Sequence, residues 1–124
     1  MLYLVNDKLR LIQNLLVNVA GDIVFHYRRP ASMKRFITWQ EDAEDNQFSA
    51  NNRSQEICLT GTIDLFTPVE YDQLVDDITS AFAQSTRAKA QLTMVDYEDE
   101  TNLIHHQWTF WVARNGKDAG WQWT

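Results

Sequence analysis

Leu2, Val5, Leu9, Ile12, Leu16 and Val19 recur at alternating steps of three and four, the spacing of one stripe along a helix, and predict a helix over residues 2–18. Leu4, Leu11 and Leu15 lie beside that stripe, so the apolar surface is wider than a single contact needs. Such a surplus has two readings: a helix sunk deeply in its own core, or a helix that also touches another subunit. Gly21 and Asp22 end the helix, and Ile23, Phe25 and Tyr27 then alternate with Val24, His26 and Arg28 in a short strand pattern before Pro30. A second strand is expected at about 33–41, with Ile37 and Trp39 on one face and Phe36 and Thr38 on the other. The next stretch, EDAEDNQFSANNR at 41–53, has no periodicity and reads as a long polar loop. Connections of that length are usually functional or disordered. Phe48 is its one large apolar residue, either a partner anchor supported by Asn51, Asn52 and Arg53 or a side chain folded back on its own domain.

Residues 55–66, QEICLTGTIDLF, place Ile57, Leu59, Ile63 and Leu65 on one face and Cys58, Thr60, Thr62 and Asp64 on the other, as a strand with one buried face does. Gly61 falls in the apolar register and points to a bulge or a close backbone approach. The following TPVE predicts a helix start: Thr67 as N-cap, Pro68 in the first helical position and Glu70 closing a capping box. Tyr71, Leu74, Val75, Ile78 and Phe82 form the inward stripe of that helix. Two further strand patterns, 89–98 and 103–113, flank the polar break DETN and form a hairpin. Beyond it, NGKDAGWQWT carries a turn signal at Asn115 and Gly116 and ends in alternating tryptophans. Trp121 and Trp123, with Trp111 on the outer register of the last strand, are candidate contact residues, because indoles left in water forfeit apolar burial.

Composition narrows the function classes. The chain of 124 residues fits one domain, and 44% hydrophobic with 23% charged residues is a globular balance. A net charge of -6 without a dense basic block weighs against nucleic-acid binding. The start MLYLVNDKLRLIQ lacks a basic n-region, and no apolar run approaches membrane-spanning length. A single cysteine, Cys58, excludes an intrachain disulfide and reads as a packing residue.

The stretch MVDYEDETNLIHHQW sets Asp96, Glu98, Asp99 and Glu100 ahead of His105 and His106, which raises the question of a metal or acid/base centre. Neighbouring side chains on a strand point to opposite faces, so the two histidines do not share one ion. His106 joins the apolar face with Trp108 and Phe110, where a histidine is more often a satisfied core residue, and His105 joins the polar set with Gln107 and Thr109. Neither a zinc motif, a phosphate loop nor a nucleophile elbow is present, so no catalytic residue, metal or cofactor is expected.

The predicted order of elements describes an α+β domain over residues 1–124, with a mostly antiparallel sheet of about five strands, two helices packed on one face, and a tail at 115–124. Two segments add a resemblance. LTGTIDLFTPVEYDQLVDDITSAF resembles the strand-to-helix segment of tail completion and tail terminator proteins of long-tailed bacteriophages and prophages, and DYEDETNLIHHQWTFWV resembles their closing hairpin. The start MLYLVNDKLRLIQNLL is also similar. The resemblance implies a non-enzymatic ring, usually hexameric, that caps the tail tube and presents a surface to the head connector. Its partners would be further copies of itself, the tail tube protein and the head connector protein, in the virion tail and, during assembly, in the host cytoplasm. The alternatives from other classes are a cytoplasmic binding module dimerising through the first helix and a small hydrolase using the acidic hairpin turn.

Overall fold

The computed structural model describes residues 4–45 and 58–113. Helix α1 spans Val5–Ala20, a short 3-10 turn follows at Gly21–Ile23, and strands β1 (Val24–His26) and β2 (Phe36–Asp45) come next. Strand β3 (Cys58–Thr67), helix α2 (Gln73–Gln84) and the hairpin strands β4 (Ala88–Glu98) and β5 (Leu103–Ala113) complete the order. The sheet runs β1-β2-β3-β5-β4, with β1 parallel to β2 and the other pairs antiparallel. This is the expected α+β architecture. Ile12 and Leu16 of α1 and Leu74, Ile78 and Phe82 of α2 share one core with Ile37, Trp39, Ile63, Leu65, Trp108, Phe110 and Val112. Both helices therefore cover the same face of the sheet.

The opposite face carries a smaller cluster of Phe36, Phe66 and Leu103, with Phe25 packed beside it. The segment between β1 and β2 crosses this cluster: the Arg29 guanidinium lies 4.1 Å above the Phe66 ring and binds Glu98 at 3.2 Å. Cys58 is fully buried, as a packing residue is. At Gly61 a Cβ would overlap the Gln40 carbonyl oxygen and the Phe110 ring, and the β2–β3 register slips between Glu41 and Ala43 directly opposite. The close approach and the bulge occur at the same place.

Four boundaries differ from the expectations drawn from sequence. The buried row of α1 is Lys8, Ile12 and Leu16, while Val5 is 38% exposed. Lys8 takes a core position because its ammonium reaches Glu44 at 2.8 Å, and a buried charge persists where it is paired. Strand β2 continues to Asp45, so the acidic front of the expected 41–53 loop is strand paired to β3. Tyr27 adopts a left-handed backbone (φ 74°) and leaves β1, which is shorter than its alternation implied. Helix α2 starts six residues after Thr67, capped by Asp72.

Candidate functional site

The segment between β3 and α2 is built around Asp72. Arg35 donates to both of its oxygens, Nε to Oδ2 at 2.8 Å and Nη2 to Oδ1 at 2.7 Å. The Thr67 hydroxyl donates to Oδ2 at 2.7 Å and the Leu74 amide to Oδ1 at 2.9 Å. The Arg35 guanidinium first, then the Leu74 amide and Thr67 hydroxyl, outweigh burial and hold the carboxyl far below the ordinary range. Thr67 does not cap the helix; its oxygen accepts from the Val69 amide and tightens the turn before it. Pro68, Val69 and Glu70 are exposed, so the capping box does not close on a helix.

That turn throws Tyr71 outward. Expected on the inward stripe, it is instead 99% exposed with φ 56°, a left-handed conformation that bulky residues rarely adopt. Beside Pro68 and Glu70 of the same turn lies the far half of β4. A shallow concavity there is lined by Pro68 and Glu70 from the turn and by Val95, Asp96, Tyr97 and Ile104 from the hairpin. Val95 is 56% exposed and Tyr97 53%.

The helix layer stops short for a geometric reason. A helix of 12 residues spans about 18 Å, whereas a strand of 11 residues spans roughly 36 Å, so α2 covers only the half of β4 near Ala88. The other half keeps Val95 and Tyr97 on the helix face with neither described helix above them. Strand β4 is also an outer strand of the sheet, bulged between Leu92 and Met94, while the opposite outer strand, β1, has three residues. Sequence alternation located this strand but gave no sign of where the helices above it end.

Two polar sets involve histidine. On the helix side, His26 Nε2 lies 2.8 Å from Glu41 Oε1, the Tyr27 hydroxyl donates to Glu41 Oε2, and the His26 ring stacks between Tyr27 and Trp39. Burial raises the Glu41 carboxyl, but the hydrogen bonds from Tyr27 and His26 prevail and hold it below its ordinary value. The same bond pushes the Tyr27 hydroxyl up. On the opposite face, His105 Nε2 lies 2.6 Å from Asp64 Oδ1, Gln107 donates to the same oxygen at 2.8 Å, and Phe66 stacks on the His105 ring. His105 is thus held more deeply than its polar register implied. His106 is half-buried, its Nδ1 has no hydrogen-bond partner among the described residues, and burial lowers its pKa; it is not a satisfied core histidine. Among the described residues no group of three His, Cys, Asp or Glu side chains is placed to hold a metal ion.

Of the contact residues expected from sequence, Leu4 is 66% exposed ahead of α1. Leu11 and Leu15 are half-buried against the core and line a groove with Val19 of α1, Ala81 of α2 and Arg87 just before β4. Trp111 is half-buried on the face away from the helices, in register with Thr60 and Lys89. Phe48, Asn51, Asn52, Arg53, Trp121 and Trp123 lie outside the described residues. No described helix is long and apolar enough to cross a membrane.

No family model and no curated protein matches the chain. Among solved structures, a chain of the virion of a native gene transfer agent particle is similar, with 10% sequence identity, a TM-score of 0.46, and an alignment covering 79% of this chain and 82% of that one. A likeness that loose assigns neither a family nor a function.

Proposed function

We propose that this protein is a structural assembly subunit of a phage or prophage tail, forming a ring that caps the tail tube and joins it to the head. The observation that carries this reading is the end of the β4–β5 hairpin, where a long outer strand has no strand on its outer edge among the described residues and leaves Val95 and Tyr97 exposed. Monomeric proteins shorten, charge or cover such edges, and an apolar patch left beside one marks a contact with another chain. The resemblance of the β3–α2 and hairpin segments to tail completion and terminator proteins supplies the kind of assembly.

In this reading the protein carries no enzymatic activity and no cofactor, and its partners are its own copies, the tail tube protein and the head connector protein. Among the described residues the long outer edge of the sheet is that of β4, and a strand of a neighbouring subunit would extend the sheet there. Electron microscopy of the purified protein, alone and mixed with tail tubes, tests the reading. Closed rings that decorate tube ends are expected; particles of single-subunit size that leave the tubes bare would overturn it.

A further inference from the structure

Two surfaces at opposite ends of β4 complement one another. At its start lies the α1–α2 groove, apolar along Leu11, Leu15 and Val19 and edged by Arg87. The Arg87 guanidinium is exposed and has no carboxylate partner among the described residues. At its end lies the hairpin tip, where exposed Val95 and Tyr97 adjoin Asp96, Asp99 and Glu100. Glu98 is already engaged by Arg29 and Thr101, whereas Asp99 and Glu100 face solvent. Eleven residues of extended strand separate the two surfaces by roughly 35 Å.

We propose that the hairpin tip of one subunit seats in the α1–α2 groove of the next, with Val95 and Tyr97 against the leucines and Asp99 and Glu100 beside Arg87. This deepens the ring reading and rests on it, since the occupant is a second copy of the chain. Charge selects this arrangement over the symmetric ones. Tip against tip brings Asp96, Asp99 and Glu100 onto their own copies, and groove against groove brings Arg87 onto Arg87; like charges at a contact oppose it. Tip into groove is attractive in both its apolar and its charged parts. Because the two surfaces differ and sit far apart on one subunit, the contact is head-to-tail, the class that closes into rings when the rotation permits.

The test uses the full chain. Arg87→Glu should reduce the solution mass from ring to monomer with an unchanged circular dichroism spectrum, and adding Asp99→Lys and Glu100→Lys should restore the ring mass. Independently, a Thr86→Cys/Glu100→Cys chain should form a ladder of covalent oligomers on oxidation while either single variant stays unlinked, with native Cys58 buried away from the contact. A ring that survives Arg87→Glu with an unlinked cysteine pair would overturn this contact and leave the ring reading standing. Covalent dimers from Glu100→Cys alone would overturn it in favour of a tip-to-tip contact. Unmodified protein that is monomeric at every concentration, alone and with tail tubes, would sink the ring reading and this contact with it.

Discussion

At Asp72 four hydrogen bonds from three residues converge on one carboxylate, and they fix both the start of α2 and the outward turn that presents Tyr71. Asp72→Ala should cost about 1–2 kcal/mol for the lost cap, more for the freed Arg35, as a lower urea midpoint. The sign of the pH dependence follows from the depressed pKa. The stabilisation is fully present above the unfolded aspartate value near 3.9 and is lost as pH falls below it towards the folded value, so acid titration of the unmodified protein should show a loss there that Asp72→Asn lacks. Thr67 and Glu70 satisfied the local capping pattern, yet Asp72 won because Arg35, 37 residues away in sequence, adds a contact that no local pattern contains. Gly61 was legible for the opposite reason, since a glycine in an apolar register needs a close neighbour, here Gln40 and Phe110. Gly61→Ala should cost about 1–3 kcal/mol by overpacking, measured by thermal melting.

Among the elements, α1, β3 and the β4–β5 hairpin stand close to where periodicity set them. The polar run at the end of β2 hid a strand: Glu44 there answers buried Lys8, so charge belonged to the structure and not to a loop. The exposed half of β4 was invisible because alternation reports which side a residue faces and not what covers that side. Val95→Lys and Tyr97→Lys should therefore change stability by no more than about 0.5 kcal/mol, as surface changes do, while abolishing self-association. Equilibrium unfolding and gel filtration of the same samples separate the two effects. A large stability loss would make these side chains ordinary core.

For the whole molecule, one face of the sheet is covered by helices near the start of β4, the other is partly covered by the β1–β2 segment, which reaches Glu98 at the hairpin end, and the helix face of that end is left uncovered by either described helix. That asymmetry gives the described part of the subunit two unlike ends, which suits head-to-tail closure. The architecture was legible from the order of periodic segments; the assembly surface was not, because it depends on the unequal lengths of α2 and β4. The most direct measurement is the mass of the full chain in solution by light scattering over a wide concentration range. A ring predicts a constant mass that is a fixed multiple of 14.5 kDa and is independent of concentration above assembly. A mass of 14.5 kDa throughout, unchanged when tail tubes are present, would contradict the account.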